Sequence, residues 1–303
     1  MVLRSQTPKQ LVPGLNAIFG MEYKQYPDLV SLMFEMGKSN RAFEEEVIMP
    51  GFGAALQKAE GSAVSYADTS EGWVSRYNML TYALAFNITE EAVEDNLYMS
   101  IAARLSKALA RSMYHTKELV GANIFNNGFL TTAAYQGGDG VGLFHTAHPR
   151  LDGGTYRNRP ATDVDLSEAS LEAACTDIRN FTDDNGLPVM VQPKRLLIPS
   201  ALEFTAERIL GSLQRSGTAD NDTNALRSLG KFSGGVVINQ RFTDTDAWFI
   251  TTDAPDGLKG FNRTPLATRA EGDFESGNMR YKARERYAFG WSNPRGAYGS
   301  QGA

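Results

Sequence analysis

Two of the three histidines in this 303-residue chain, His145 and His148, lie three positions apart in the segment FHTAHP, within a glycine-rich stretch. Imidazoles at this spacing can bind zinc, but zinc sites need three or four ligands. No cysteine lies near them, the third histidine, His115, falls far upstream, and only carboxylates could complete a site. The simpler interpretation is structural: we expect one or both imidazoles to hydrogen-bond the backbone of a tight turn before Pro149.

Other catalytic chemistries find less support. The segment GGDGVGLFHTAHPRLDGGT has neither the Gly-Lys-Ser/Thr of a phosphate-binding loop nor G-x-G-x-x-G spacing, and it follows a helical pattern instead of joining a strand to a helix. The chain contains no G-x-S-x-G elbow, and the shortage of histidine disfavours a nucleophilic triad. The one cysteine, Cys175, fits the apolar pattern of a helix and indicates ordinary packing. We therefore expect no catalytic residues and no cofactor.

The composition is that of a folded protein with a mild acidic excess. Hydrophobic residues make up 42% and charged residues 21% of the chain, and the formal net charge is -5. That balance disfavours a surface built to neutralise the phosphates of nucleic acid. No stretch approaches the roughly 20 apolar residues of a membrane-spanning helix, and the N-terminal residues lack the apolar core of a signal peptide. We expect no membrane partner and a chain that stays in the cytoplasm where it is made.

The strongest secondary-structure signal is a long helix that ends at Asn127-Gly128. Asn87 or Thr89 can cap it, acidic residues crowd its first turns and basic residues follow later. One apolar stripe is formed by Val93, Leu97, Ile101, Leu105, Ala108, Ser112 and Leu119. About 37 residues would give a helix of roughly 55 Å, which suits an elongated building block better than a domain organised around a pocket.

The residues before this helix have little core of their own. Residues 1–37 alternate short apolar runs with proline and glycine, which predicts an extended arm with one short helix at 28–36. Residues 41–86 contain the strand patterns AFEEEVIMP, AVSYADTSEG and WVSRYNMLTYALAF around a turn-rich segment, which predicts a long hairpin. An isolated hairpin is marginally stable. We therefore expect this one to lie against another element or another molecule.

Residues 163–260 predict a mixed α/β region with its own core. The pattern comprises a helix capped by Ser167, a strand at RLLIP, a helix at SALEFTAERILGS and strands at VVINQRF and AWFITT. A polar, glycine-containing segment at 214–235 predicts a mobile surface loop between them.

The last strand pattern, MRYKARERYAFGW, places apolar residues on one face, interrupted by Glu285, and four cations on the other. The simplest interpretation is a half-buried strand with a solvated cationic face. Four like charges are costly to leave unpaired, however, and the acidic run of the hairpin is an available complement, within one chain or between chains. The candidate inter-subunit contacts are Glu44, Glu45, Glu46, Arg76, Arg280, Lys282, Arg284 and Arg286.

Several segments, in their order and spacing, resemble the major capsid proteins of tailed bacteriophages, in particular the Mu-like major head subunits. They are EEEVIMPGFG with EGSAVSYAD, TEEAVEDNLY, LFHTAHP with GGT, RLLIPSALEFTA and RYKARERYAFGWSNPRGAYG, from about residue 40 to the C-terminus. The resemblance implies an α+β phage major capsid fold with an N-terminal arm (1–40), an extended hairpin loop (41–86), a peripheral domain with a spine helix (87–162), an axial domain (163–260) and a return to the peripheral domain (261–303). It implies no active site.

The resemblance also implies a function. The chain would be a structural subunit that self-assembles, as pentamers and hexamers, into an icosahedral head enclosing double-stranded DNA without sequence-specific binding. We expect assembly in the host cytoplasm, a portal and a decoration protein as partners, and a separate scaffolding protein because hairpin sequence begins soon after Met1. The alternatives are a cellular encapsulating shell of the same fold and a metal-dependent enzyme using His145 and His148.

Overall fold

The computed structural model describes residues 7–66, 71–89, 91, 98–214, 222–273 and 277–303. The first half contains α1 (Thr7–Lys24), α2 (Val30–Met33), β1 (Glu35–Lys38), β2 (Phe43–Val47), β3 (Val74–Asn78), β4 (Leu80–Ile88), the spine helix α3 (Tyr98–Asn126), β5 (His148–Pro149) and β6 (Thr155–Tyr156). The second half contains α4 (Glu168–Arg179), β7 (Pro193–Ile198), α5 (Glu203–Gly211), α6 (Ala225–Ser228), β8 (Val236–Ile238), β9 (Trp248–Thr252), β10 (Leu258–Gly272), β11 (Met279–Trp291) and β12 (Ala297–Ser300). Short 3₁₀ turns lie at Ser200–Leu202 and Pro294–Gly296.

One four-stranded sheet has the order β1-β10-β11-β4, and it is called the peripheral sheet after the domain that the resemblance implies for it. Its centre is the antiparallel pair β10–β11, and β4 pairs along the other side of β11. The predicted alternation of β11 is confirmed: Tyr281, Ala283 and Tyr287 are buried, while Arg280 and Lys282 are exposed. The buried face packs against α1 and the spine helix.

The spine helix is described over 29 residues, or about 44 Å. It ends before Asn127-Gly128, as predicted. The acidic residues predicted for its start, Glu90, Glu94 and Asp95, lie outside the described residues. Asn87 is not a helix cap, because it lies in β4 opposite Arg280.

The apolar stripe predicted for the spine helix is wrong as a buried face. Its large apolar members among the described residues, Ile101, Leu105 and Leu119, are 36–43% exposed, and neither Ala108 nor Ser112 is buried. The residues that are buried include two polar ones and six apolar ones: Ala102, Ser106, Leu109, Ala110, Met113, Glu118, Ala122 and Phe125. The buried face differs from the predicted one because two of its residues, Ser106 and Glu118, are polar and form hydrogen bonds with the N-terminal arm. In the sequence, polar residues at such positions look solvent-facing.

The N-terminal arm is largely helical, so the prediction of an extended segment is wrong for residues 7–24. α1 includes Pro13 and buries Leu15 and Phe19 against the sheet and the spine helix. Of the short helix predicted at 28–36, residues 30–33 are helical as α2, whereas Glu35 and Met36 lie in β1. Gly121 allows α2 to approach the spine helix closely, because a Cβ atom there would lie 2.9 Å from the Val30 side chain.

The predicted hairpin at 41–86 is only partly a ladder. β2 and β3 pair over five residues. Residues 80–88 leave the hairpin and join the peripheral sheet as β4. Residues 48–66 and 71–73 form no strand, which contradicts the strand predicted at AVSYADTSEG for its described part; residues 67–70 lie outside the description. The result is a long, irregular loop on a short ladder.

The axial region follows the sequence prediction closely. α4 is capped by Ser167 and buries Leu171, Ala174 and Ile178. The second four-stranded sheet has the order β12-β9-β7-β8, and a separate core of buried residues surrounds it. Its edge strand β12 comes from the C-terminus, so the segment 261–303 contributes to both sheets. Of the polar loop predicted at 214–235, residues 225–228 are helical and 215–221 lie outside the description.

Candidate assembly surface

The β2–β3 hairpin is fastened to the body by Glu46. Its carboxylate accepts hydrogen bonds from Lys259 Nζ at 2.6 Å and from Ser292 Oγ at 2.6 Å. Ser292 lies 2.5 Å from the Tyr77 hydroxyl. Burial alone would lower the pKa of Lys259, but the hydrogen bonds to Asp256 and Glu46 favour its charged form and raise it. Glu46 is therefore an anchor within the chain.

The other two glutamates of the acidic run have weaker partners. Glu44 accepts a 2.6 Å hydrogen bond from Ser39 Oγ and lies 3.8 Å from Arg41. Glu45 faces Arg76 across the β2–β3 ladder at 3.7 Å, with 46% and 52% of the two side chains exposed. An exposed pair of this kind contributes about 0–1 kcal/mol. Glu45 can therefore change partners at little cost, whereas the Glu44 side chain is only 21% exposed and is held by the buried Ser39.

The outward face of β11 carries the predicted basic run. Arg280 pairs with Asp273 at 2.5 Å. Lys282 and Arg284 are exposed, and no carboxylate in the described part of the chain lies within ion-pair distance of either. These two cations are available to an anion from outside the subunit.

Arg286 lies at the inner end of the same row. Its Nη2 donates a hydrogen bond to the Met79 carbonyl oxygen at 3.0 Å. The pKa of Arg286 is lowered, first by burial and then by the nearby charges of Arg263 and Arg284. Like charges thus crowd this face, and an acidic partner would relieve their repulsion.

The acidic and basic runs do not meet inside one chain. Where the structure describes both runs, no ion pair joins Glu44, Glu45 or Glu46 to any of the four cations of β11. The complement that the sequence suggested is therefore not intramolecular here, and its inter-subunit form stays a prediction.

The irregular loop above the ladder carries large apolar side chains into solvent. Between 63% and 97% of each is exposed for Met49, Phe52, Leu56, Val64 and Tyr66. Near the base of the loop, the side chain of Asn185 holds it to the axial region, because Asn185 Nδ2 donates a hydrogen bond to the Gly51 carbonyl oxygen at 2.5 Å. Single exposed apolar residues are ordinary, but five on one loop are typical of an interaction surface.

The segment with the paired histidines forms a buried polar cluster. His148 is fully buried, with Nδ1 2.6 Å from Asp139 Oδ2 and Nε2 3.0 Å from Asn158 Oδ1. The Asn158 amide nitrogen donates to the carbonyl oxygens of Leu143, Pro294 and Ala297. The cluster therefore ties the loop after the spine helix to the C-terminal strand.

His145 has the backbone role predicted for it, because its Nδ1 accepts a hydrogen bond from the Ala147 amide at 3.1 Å. The rings of His145 and His148 lie 6.0 Å apart and nearly perpendicular. A search of the described residues finds no group of three histidine, cysteine or acidic side chains placed to hold a metal ion. The same residues contain no helix long and apolar enough to cross a membrane.

Sequence reasoning missed most of the buried polar residues. Asp139 and Asn158 carry no recognisable motif, and Glu118 sits where the helix pattern suggested solvent. Glu285 did leave a signal, since it interrupts the apolar face of β11. Its partner is Lys117 of the spine helix, 2.8 Å away.

Comparison with known proteins identifies the architecture. The sequence profile of the family described as phage capsid protein matches residues 73–300. A search of curated proteins finds no match to the chain.

Solved structures share the fold. The virus-like particle from Pyrococcus furiosus matches with 12% identity and a TM-score of 0.55, covering 95% of this chain and 98% of that one. The bacteriophage JBD30 capsid matches with 15% identity and a TM-score of 0.54, covering 72% and 92%. The capsid of a native GTA particle matches with 12% identity and a TM-score of 0.54, covering 90% of each chain. At these identities the similarity concerns the fold.

Proposed function

Because this chain belongs to the phage capsid protein family, we propose that it is the major subunit of an icosahedral head that encloses packaged double-stranded DNA. A capsid shell subunit acts by associating with copies of itself in the virion. Pentamers and hexamers of one chain are the proposed units of that shell, since in a closed symmetric assembly every copy uses the same surfaces to contact its neighbours. The role is structural, and we propose no catalytic activity.

The observation that carries this proposal is the uncovered loop at 48–66. Five large apolar side chains project from it into solvent. Association with a second copy would remove them from water, and each fully buried side chain of this size stabilises the contact by about 1.5–3 kcal/mol before the cost of ordering the loop. The loop is thus suited to cross a neighbouring subunit.

Charge supports the same contact. Glu44 and Glu45 lie on the exposed hairpin, and Lys282 and Arg284 on the exposed face of β11. We propose that the hairpin of one subunit lies on the basic face of its neighbour, where matched charge fixes the register of assembly. Glu46 does not take part, because Lys259 and Ser292 already hold it.

The finer assignments are proposals of the same kind. The motifs that resemble Mu-like head subunits support that branch of the family. They also support a portal, a separate scaffolding protein, a decoration protein and assembly in the host cytoplasm. The enclosed DNA is proposed to be held without sequence-specific binding.

Electron microscopy of the purified full-length chain tests the proposal. The chain is produced alone and together with the neighbouring gene products of its genome. Closed, uniform shells are expected in at least one of these preparations, and DNA should be protected from nuclease when the packaging genes are present. Monomers or small oligomers in every preparation would contradict the proposal. Shells that enclose a cargo enzyme, encoded beside this gene, would instead indicate a cellular compartment.

A further inference from the structure

Glu118, in the middle of the spine helix, is buried with 1% of its surface exposed. Its Oε1 accepts hydrogen bonds from the backbone amides of Leu29 at 3.1 Å and Val30 at 3.4 Å. Its Oε2 is buried and has no hydrogen-bond partner among the described residues. An ionised carboxylate with one desolvated, unpartnered oxygen is costly, whereas the protonated form keeps the acceptor that holds the two amides.

The bonds to Glu118 close a hinge in the N-terminal arm. Residues 27–30 connect α1 to α2, and Tyr114, one turn before Glu118, donates a 2.8 Å hydrogen bond to the Pro27 carbonyl oxygen. A cavity of about 430 Å³ lies beside the hinge and is lined by Pro27, Leu29, Tyr114 and Arg241, among others. Water can therefore reach the hinge when it opens.

Charged groups face Glu118 from two places, the hinge and the segment before β9. Burial raises its pKa to about 6, the amides of the hinge and Arg241 from the segment before β9 act in the opposite direction, and Asp28 from the hinge adds to the increase. Tyr114 and Tyr23 also lie nearby, but burial raises the pKa of both above the ordinary tyrosine value, so they stay neutral. Asp28 in the hinge and His115, which lines the cavity beside it, are also ionisable, so the Glu118→Gln variant is needed to assign a pH effect to Glu118.

We propose that Glu118 is a protonation-controlled latch that holds the hinge of the N-terminal arm, residues 27–30, against the spine helix. When the hinge opens, water reaches the carboxyl and restores its ordinary acidity. The closed state therefore takes up a proton that the open state releases. The extra stability of the closed state is fully present below pH 4.5 and is lost as the pH rises through about 6.

The size of the pH effect on hinge opening follows from the pKa of the Glu118 carboxyl in the open and in the closed hinge. With a carboxyl pKa of 4.5 in the open hinge and about 6 in the closed hinge, the open fraction is about eightfold larger at pH 8 than at pH 5. α1 itself stays packed through Leu15 and Phe19, so the change is confined to the hinge and α2. Such a latch would let the hinge open locally at neutral pH without unfolding the subunit.

Hydrogen exchange of the full-length protein, followed by mass spectrometry, tests the latch. Peptides covering residues 25–34 are compared at pH 5 and pH 8 after correction for the intrinsic exchange rate, in samples of the same oligomeric state. Wild-type protein should show about eightfold less protection at pH 8. A peptide from β7 serves as the internal control and should show no such ratio.

Two variants separate the latch from simple packing. Glu118→Gln keeps an oxygen acceptor for the hinge amides but does not titrate, so its hinge should exchange with little dependence on pH. Tyr114→Phe removes an uncharged hydrogen bond to the same hinge, so protection should fall at both pH values while the ratio persists. A wild-type ratio near one, or an unchanged ratio in Glu118→Gln, would overturn the proposal; a wild-type ratio near one does so even if a variant does not fold.

Discussion

Lys117 of the spine helix donates a 2.8 Å hydrogen bond to Glu285 of β11, and the two side chains are only 14% and 2% exposed. The pair joins the helix to the central strand of the peripheral sheet, with the Lys117 ammonium also 5.6 Å from the centre of the Tyr287 ring. Glu285 occupies a position on β11 where the alternation of the strand requires an apolar residue. The pair therefore fixes the helix on the sheet at a position where simple hydrophobic packing would allow sliding.

Lys117→Met should destabilise the subunit by about 3–5 kcal/mol, because it leaves the Glu285 carboxylate buried without a counter-charge. Urea unfolding measures the change through the midpoint at unchanged slope. The double variant Lys117→Met/Glu285→Leu should recover most of the loss, and Lys282→Met on the exposed face should change stability by less than about 0.5 kcal/mol. A Lys117→Met effect as small as that of Lys282→Met would contradict a stabilising pair.

The double variant His145→Gln/His148→Gln should leave the metal content of the purified protein unchanged, because hydrogen bonds already occupy both ring nitrogens of His148. Elemental analysis by mass spectrometry measures this. The variant should still lose stability, since a glutamine side chain at position 148 cannot form the hydrogen bonds to Asp139 and Asn158 with the geometry of the imidazole. Stoichiometric zinc in the wild type that disappears in the variant would restore the metal-site hypothesis.

Replacing Phe52, Leu56 and Tyr66 with serine should leave unfolding of the isolated subunit within about 0.5 kcal/mol of wild type, because these side chains contact solvent. Assembly into shells should fail or slow strongly, since the apolar contact with a neighbour is lost. Light scattering and electron microscopy follow assembly. The control variant Leu171→Ser changes a buried residue and should prevent folding itself. Normal shells from the triple variant would show that the loop does not drive association.

Reversing Glu44 and Glu45 to lysine should impair shell formation at ordinary salt, because like charges would then face Lys282 and Arg284 of the neighbour. The subunit should still fold, with a loss of about 1.5–3 kcal/mol because the Ser39–Glu44 hydrogen bond is removed. Glu46 is kept, so that its anchor to Lys259 remains intact. Adding Lys282→Glu and Arg284→Glu to the same chain should partly restore assembly. If the double-lysine protein assembles normally, the acidic run is only a solvated edge.

The sequence by itself determined the main elements. The strict alternation of β11, the capped helix after Ser167 and the stop at Asn127-Gly128 depend on local periodicity and capping, which act over a few residues. The same local rules indicated that the hairpin is poor in core, and the ordered motifs indicated the family. These features need no knowledge of which distant residues touch.

Only the tertiary structure decided where the polar residues belong. Ser106 and Glu118 look like solvent-facing positions in a helix, yet both are buried because the N-terminal arm covers them and supplies their partners. Glu46 looks like one of three equivalent acids, yet Lys259 and Ser292, more than two hundred residues away, make it an anchor. The C-terminal strand β12 pairs with β9 of the axial sheet, although the segment before it belongs to the peripheral sheet. This pairing too depends on residues that are distant in the sequence. Partners brought together by folding decide the burial of a charge, and a local pattern holds no information about them.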